Sequence, residues 1–182
     1  MVCLPYSLSR ETYIRIIDGE GIDLPAGEIG DIYLRSPFFG GVSYLGTAPT
    51  IPSTDDGFQT VGDMGYLDTD GFLYVVDRRV DLIISGGANV YPAEVEFALI
   101  DHPEVADVVV IGLRDDEWGR RVHAVIEPRD HAAPPTAEEI ITYAKGRLAP
   151  YKVPKSLEVL PEIPRSAATK VNRGALVAER GG

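Results

Sequence analysis

The sequence predicts an α+β protein in which a strand-rich segment, residues 1–77, precedes a smaller mixed α/β domain, residues 78–182. Residues 10–77 combine alternating apolar positions with turns rich in Gly, Pro and Asp, and they show no helical period. Helix start signals appear only after residue 77, between runs of β-branched residues. A chain of 182 residues has room for two small domains of this kind.

The elements of the first segment are strands joined by turns. Strands are expected at residues 11–17 and 29–35, and the Gly-, Pro-, Ser- and Thr-rich stretch 37–52 indicates a loop. The strongest local signal is a hairpin at residues 66–76, where an Asp-Gly turn separates two apolar runs. This segment contains no helical pattern and is typical of a piece of a larger domain.

The second segment alternates strands and helices. A short strand at residues 82–84 leads to a helix that begins at Pro92, because proline is favoured in the first helical position. β-rich runs follow at 105–113 and 122–126. Thr136 and Glu139 fit a capping box that opens a helix to about Ala149. A last core strand is expected at 157–160, followed by a polar, basic end.

Charge and composition exclude several classes of function. The chain has 17 basic and 28 acidic residues, a net charge of −11, which argues against non-specific nucleic-acid binding. The region from Lys145 onward is nevertheless net positive, either as a solvated face or as an arm that reaches an anionic ligand. No apolar run has the ~18 residues of a transmembrane segment, and no secretory signal is expected. With Cys3 as the single cysteine, we expect a cytoplasmic protein without disulfides.

Two local features in the middle of the chain suggest a sugar or phosphate site. Asp63 follows a glycine and precedes a strand, so its two carboxylate oxygens either accept bonds from the vicinal hydroxyls of a ribose or bond their own turn. Arg78 lies in a charged stretch, residues 77–81, and either clamps a sugar or phosphate or pairs with the flanking aspartates.

Two further features lie in the second segment. A glycine-containing stretch after the first strand either permits close approach of a ligand or is an ordinary strand–helix loop; its residues are Ser85, Gly86, Gly87, Ala88 and Asn89. Lys170, in a loop of small residues, either carries an ammonium group into a site or is a surface lysine. No zinc-protease, phosphate-loop or serine-hydrolase motif is present, so metal- or histidine-driven catalysis has no support.

Six stretches, in order along nearly the whole chain, resemble the motifs of the AMP-forming adenylating superfamily, which includes acyl-CoA synthetases, adenylation domains and luciferases. Residues 27–37, GEIGDIYLRSP, are similar to its GEIGEIxxRSP motif. The other resemblances are 60–77 to TGDxGYLDxDGYLYxxDR, 77–96 to GRxKDxIxxGGxNVYPxEVE, 118–120 to WGE, 149–154 to LAxYKVP and 163–173 to LPRTxxGKxxR.

The resemblance implies a ligase that converts a carboxylic acid and ATP into an acyl-adenylate, releases pyrophosphate, and passes the acyl group to the thiol of coenzyme A. A fatty or related acid is the expected substrate. The implied cofactors are ATP/AMP, coenzyme A and Mg²⁺, whose ligands are expected outside this chain. The family's long N-terminal region is missing, so the chain is expected to be a C-terminal third, from a truncated gene, a split subunit or an isolated piece. Alone it should be inactive.

The family's site residues are carried over by position. Asp63 would hold both ribose hydroxyls, Arg78 would support the ribose and phosphates, and Lys170 would reach the α-phosphate and the substrate carboxylate. The stretch from Ser85 to Asn89 would line the path of the pantetheine thiol as the small domain turns on a hinge.

Three positions depart from the family pattern. The hinge position, commonly Asp or Lys, is Val80 here, with Asp81 beside it; Thr169 replaces the glycine before the lysine, and Val61 disturbs the Thr-Gly-Asp match. Two alternatives therefore stay open: a non-catalytic module that binds a nucleotide or a partner, and an adenylation domain that serves a carrier protein. Retention of Asp63, Arg78 and Lys170 together favours the ligase.

Overall fold

The computed structural model describes residues 12–37, 52–60, 62–166 and 169–182, together with the backbone of residues 2–4. The chain divides into two compact units, Met1–Val80 and Asp81–Gly182. The division follows Val80 rather than Asp77 because the last strand of the first unit continues to Arg78 and because Arg79 pairs with Asp31 of the same unit. Most of the expected loop at 37–52, and Val61, lie outside the described residues.

In the part of the first unit that the structure describes, five strands form an antiparallel sheet in the order β1-β5-β4-β3-β2. The strands are β1 Val2–Leu4, β2 Tyr13–Ile17, β3 Gly30–Arg35, β4 Asp63–Leu67 and β5 Leu73–Arg78. Buried Ile16, Ile32 and Leu73 form its apolar core. The strand-rich prediction is thus confirmed, while β1 was not expected from the sequence.

The β4–β5 hairpin is confirmed in detail. Its turn is stabilised by Asp68, whose Oδ1 accepts hydrogen bonds from the backbone N–H groups of Asp70 and Phe72 at 3.0 and 2.8 Å. The rings of Tyr66 and Tyr74 stack across the two strands, 4.9 Å apart. Aromatic cross-strand pairs of this kind stabilise the register that places Asp63 opposite Arg78.

Among the described residues of the second unit are five strands and three helices. The strands are β6 Ile83–Ser85, β7 Ala88–Val90, β8 Val105–Asp115, β9 Gly119–Pro128 and β10 Ser156–Val159. The helices are α1 Pro92–Ile100, α2 Ala137–Lys145 and α3 Arg173–Glu179. β9 pairs antiparallel with β8 and parallel with β10, and its first residue bridges β6, which pairs with β7.

The long β8–β9 hairpin is buried on both faces. Val108, Val110 and Ile126 belong to the core shared with α1 and α2, whereas Val109 and Ile111 belong to a second core with Leu176 of α3. Successive side chains of a strand point to opposite faces, so a continuous apolar run is what a doubly covered strand requires. The helix α3 that covers the second face was missed, since the basic end of the chain gave no apolar pattern strong enough to predict it.

The predicted helices are confirmed with one change of length. Pro92 occupies the first turn of α1, and Thr136 forms the expected capping box with Glu139. α2 ends at Lys145 instead of about Ala149, because Gly146 follows it and a 3-10 turn begins at Pro150. Within the described part of the chain, no helix is long and apolar enough to cross a membrane.

Candidate functional site

The first unit brings Asp63 and Arg78 together. They face each other in the antiparallel register of β4 and β5, with 3.6 Å between Arg78 Nε and Asp63 Oδ1. The Asp63 carboxylate is about one-third exposed and the Arg78 side chain is mostly exposed. The accessible carboxylate offers a polar ligand two acceptor oxygens, and the guanidinium beside it offers the same ligand a positive charge.

The two residues next to Val80 are held by different ion pairs. Arg79 donates to buried Asp31, and this hydrogen bond raises the pKa of the Arg79 guanidinium. Asp81 lies 3.3 Å from Nη1 of Arg173. Val80 itself is 83% exposed, in a 3-10 turn at Arg79–Asp81. The expected hinge residues therefore coincide with the point where the chain passes from one unit to the other.

Arg173 is the centre of a charge cluster in the second unit. Its Nη2 donates to both carboxylate oxygens of Glu96, at 2.7 and 2.9 Å, while its Nη1 faces Asp81. Glu96 Oε1 also accepts the backbone N–H of Val110 at 2.8 Å. Hydrogen bonds between a guanidinium and a carboxylate are charge-assisted and stronger than those between neutral groups. The cluster ties α3 and α1 to the residue that follows Val80.

The stretch from Ser85 to Asn89 is a tight hairpin rather than the plain loop the sequence indicated. Ser85 ends β6, Ala88 and Asn89 begin β7, and Gly86 and Gly87 form the turn, with φ values of +57° and +81°. Positive φ at both central residues is what a two-residue type I′ turn requires, and glycine adopts it without a steric cost. The paired glycines therefore carried a hairpin signal that the sequence analysis missed.

Trp118 packs against this hairpin. Its carbonyl accepts the Gly86 N–H at 2.9 Å. The Lys155 ammonium lies 3.2 Å from the centroid of the indole, a cation–π contact. Asp115 Oδ1 accepts the backbone N–H groups of Trp118 and Glu117, and these bonds lower the pKa of the Asp115 carboxyl. Lys155 was not singled out from the sequence, because only folding brings it over the Trp118 ring.

Lys170 lies at the end of the predicted small-residue loop, and its side chain is exposed. Its backbone N–H faces Ser166 Oγ at 3.3 Å, and its carbonyl accepts the Ser166 N–H at 2.9 Å. Thr169, which precedes it, has a φ of +59°. Ala167 and Ala168 lie outside the described residues. Asp63 and Arg78 belong to the first unit, and Lys170 and the glycine hairpin belong to the second.

No metal centre is apparent in the described ranges: no group of three or more His, Cys, Asp or Glu side chains is placed there to hold an ion.

Comparison with known proteins relates both units to one group of enzymes. Residues 94–170 match the family described as the AMP-binding enzyme C-terminal domain. The 2-succinylbenzoate–CoA ligase of Bacillus licheniformis is 43% identical over 160 residues, covering 88% of this chain and 33% of that protein. The chain thus spans about a third of the length of the curated relatives it matches.

Two solved structures have the same fold over nearly the whole chain. The o-succinylbenzoate CoA synthetase (MenE) of Bacillus subtilis, in complex with the acyl-adenylate intermediate OSB-AMP, is 41% identical, with a TM-score of 0.81 over 92% of this chain and 34% of that one. ATP-bound MatB from Rhodopseudomonas palustris is 30% identical, with a TM-score of 0.84 over 97% and 37% of the two chains. The chain therefore belongs to the AMP-binding, adenylate-forming enzymes and corresponds to their C-terminal part.

Proposed function

We propose that this chain is the C-terminal part of an ATP-dependent acid–CoA ligase, which forms an acyl-adenylate and then an acyl-CoA thioester. The observation that carries the proposal is the 41% identity, over 92% of the chain, to a synthetase whose structure holds an acyl-adenylate. ATP, AMP and coenzyme A are then the cofactors. Mg²⁺ is proposed to accompany ATP, as in the Bacillus subtilis synthetase in complex with ATP and magnesium ion, with its ligands in the region that precedes this part of the family's enzymes.

The acid is proposed to be an aryl acid related to 2-succinylbenzoate. The expected fatty acid, with its link to lipid metabolism, is not supported, because the relatives at 41–43% identity are named for 2-succinylbenzoate. The acyl pocket of the family is expected in the preceding region, so this chain contributes to catalysis and thiol access more than to the choice of acid.

Asp63 and Arg78 are proposed to bind the nucleotide. A carboxylate that is one-third exposed can accept hydrogen bonds from both vicinal hydroxyls of a ribose. Arg78, 3.6 Å away, offsets the negative charge of Asp63 and extends a positive charge toward the phosphates. Their positions across two paired strands support a preorganised pair, because the pairing of β4 with β5 fixes the two residues opposite each other.

Lys170 is proposed as the catalytic cation of the adenylation step. Its ammonium would stabilise negative charge that develops on the α-phosphate and carboxylate oxygens in the transition state. In the thioester step, the hairpin from Ser85 to Asn89 would line the path of the pantetheine thiol. Val80 and Asp81 would form the hinge that exchanges the two arrangements. The ion pairs of Arg79 and Asp81 support this, since they hold the chain firmly on either side of exposed Val80.

A chimera tests the proposal without knowledge of the natural acid. In it, this chain replaces the matching third of the Bacillus subtilis synthetase, and pyrophosphate release and CoA-thioester formation are measured with 2-succinylbenzoate. We expect both activities, and neither from the 182-residue chain alone. A folded chimera that binds ATP but releases no pyrophosphate would contradict the proposal. The acid itself is then identified by screening aryl and fatty acids with this chain joined to its own preceding region.

The role of Lys170 is tested by separating the half-reactions. In the chimera, Lys170→Ala should slow adenylation by roughly 10²–10³-fold, the usual effect of removing one preorganised donor. Thioester formation from supplied acyl-adenylate should change little. Lys145→Ala, at the exposed end of α2, is the matched control and should leave both steps unchanged. Equal losses in both half-reactions for Lys170→Ala would make the residue structural.

The same chimera distinguishes the two alternatives. A non-catalytic module would bind ATP without pyrophosphate release, and an adenylation domain for a carrier protein would transfer the acyl group to a phosphopantetheinyl carrier in preference to coenzyme A. A cytoplasmic location stays a prediction, which cell fractionation tests.

A further inference from the structure

The loop that carries Lys170 is closed at its base. Arg165 and Val171 form an isolated antiparallel bridge, and the Thr169 N–H donates to the Ser166 carbonyl at 2.8 Å. The Ser166 N–H donates to the Lys170 carbonyl at 2.9 Å. These bonds set the ends of the loop, but they lie within it and do not attach it to the rest of the second unit.

Arg165 makes that attachment. Its Nε and Nη2 both donate to Asp107 Oδ2, the former at 3.2 Å, and its Nη1 donates to the Thr169 carbonyl at 2.9 Å. Asp107 lies in β8, and its Oδ1 accepts the Val108 N–H at 2.8 Å. The guanidinium of Arg165 thus connects β8 to the peptide bond between Thr169 and Lys170.

The conformation of Thr169 shows why this attachment is needed. A φ of +59° places a β-branched residue in the left-handed region, which such residues rarely adopt. Strained conformations of this kind persist only where the surroundings determine them, and they concentrate at functional sites. The bond from Arg165 to the Thr169 carbonyl acts on the strained residue itself, so losing it should weaken the restraint on the backbone at Thr169 and Lys170.

We propose that Arg165 is a positioning residue, which uses its pair with Asp107 to hold Thr169, and with it the neighbouring Lys170, in place. The geometry needs arginine in particular, because two donors engage the carboxylate while a third reaches the Thr169 carbonyl. A lysine has a single nitrogen and cannot span both. We call the contacts of Arg165 with Asp107 and Thr169 the clamp. Its effect on catalysis rests on the proposed function of Lys170, whereas the existence of the clamp does not depend on that function.

The clamp is tested on the chain as it stands by cleavage with endoproteinase Lys-C after Lys170. Arg165→Gln should speed this cleavage at least about tenfold over the unaltered chain, and Asp107→Asn should act in the same direction. Arg121→Gln is the matched control, since Arg121 also bonds a backbone carbonyl of this unit, that of Arg114, at 2.6 Å. Circular dichroism establishes that each variant is folded, and Arg165→Lys serves if the glutamine variant is not. Unchanged cleavage in the folded variants would overturn the clamp.

Activity of the chimera tests the consequence for Lys170. Arg165→Gln should lower adenylation by about 10²-fold, the scale expected when a reacting group is misplaced by about an ångström. Thioester formation from supplied acyl-adenylate should stay within about twofold. Arg165→Lys keeps the charge but cannot engage Asp107 and the Thr169 carbonyl together, so it should also lower adenylation. Equal losses in the two steps would overturn the positioning role. If the unsubstituted chimera is inactive, the proposed function fails, and the Lys-C result still decides whether the clamp exists.

Discussion

The indole ring of Trp118 lies so close to Gly86 that a Cβ atom on residue 86 would lie 2.5 Å from Cε3 and 2.8 Å from Cζ3. At Gly87, the other turn residue, a Cβ would meet nothing within 4 Å. Both glycines have positive φ, so they share the same backbone requirement and differ only in this contact. The pair therefore separates the steric role of a glycine from its conformational role.

Gly86→Ala should destabilise the second unit more than Gly87→Ala. Both alanines carry roughly 1–2 kcal/mol of left-handed strain. Only the first forces the Trp118 ring to move, an overpacking that typically costs about 1–3 kcal/mol more. Urea unfolding followed by fluorescence measures the difference, because Trp118 is the single tryptophan. Equal destabilisation by the two variants would mean that the ring moves away without cost. In the chimera, Gly86→Ala should slow thioester formation more than adenylation.

Asp81→Asn should lower the free energy of unfolding of the second unit by about 1 kcal/mol. The change removes the charge 3.3 Å from Arg173 Nη1, while the contact of Arg173 Nη2 with Glu96 remains. Val80→Asn is the neighbouring control and should change stability by less than about 0.5 kcal/mol, because Val80 is exposed. Urea unfolding measures both. If Val80→Asn destabilised the protein as much as Asp81→Asn, the stabilising role assigned to the ion pair between Asp81 and Arg173 would be contradicted.

Stability should fall below about pH 6.5 through His123. Burial lowers its pKa from the ordinary 6.5, although Glu158 acts in the opposite direction, and Arg121 and Arg180 also face it. With a folded-state pKa below that of the unfolded chain, the unfolded chain takes up the proton first as the pH falls, so stability declines below 6.5. His123→Asn should flatten this decline, measured by urea unfolding at pH 5.5 and 7.5.

His131→Asn, in the exposed turn before α2, serves as the control for that measurement. A slope that persists in His123→Asn would place the titrating group elsewhere. Ser156 Oγ, 2.8 Å from His123 Nδ1, gives the asparagine a hydrogen-bonding partner, which limits the structural cost of the substitution.

Thr136→Ala should cost about 1 kcal/mol of stability, the usual effect of losing a helix N-cap. Its Oγ1 accepts the Glu139 N–H at 3.3 Å, and its own N–H donates to Glu139 Oε2 at 2.8 Å. The hydrogen bonds from Thr136 lower the pKa of Glu139. Only the part that depends on the Glu139 carboxylate varies with pH: it is complete above about pH 4.5 and is lost as the pH falls through the lowered pKa of Glu139. Thr136→Ser should preserve the stability that the cap contributes. A loss of stability in both variants would mean that the methyl group of Thr136, and not its hydroxyl, is responsible.

The elements that the sequence predicted well are those whose signals are local. Pro92 at a helix start, the Thr136 capping box and the Asp-Gly turn before Phe72 each depend on residues within four positions of one another. The motifs that indicated the family are also short and contiguous, so Asp63, Arg78 and Lys170 were found without a structure. Their roles stay predictions until the half-reactions are measured.

Local patterns in the sequence predicted the strand-rich first unit, the α+β second unit, the family and the candidate site residues. Which distant groups meet depends on the tertiary fold. Arg165 and Asp107 are 58 positions apart, Arg173 and Glu96 are 77 apart, and the Trp118 ring reaches Gly86 across paired strands. α3 likewise exists because Leu176 covers an apolar strand face that is distant in sequence. A local pattern records the preference of a segment, whereas these contacts depend on which surfaces the folded chain buries against each other.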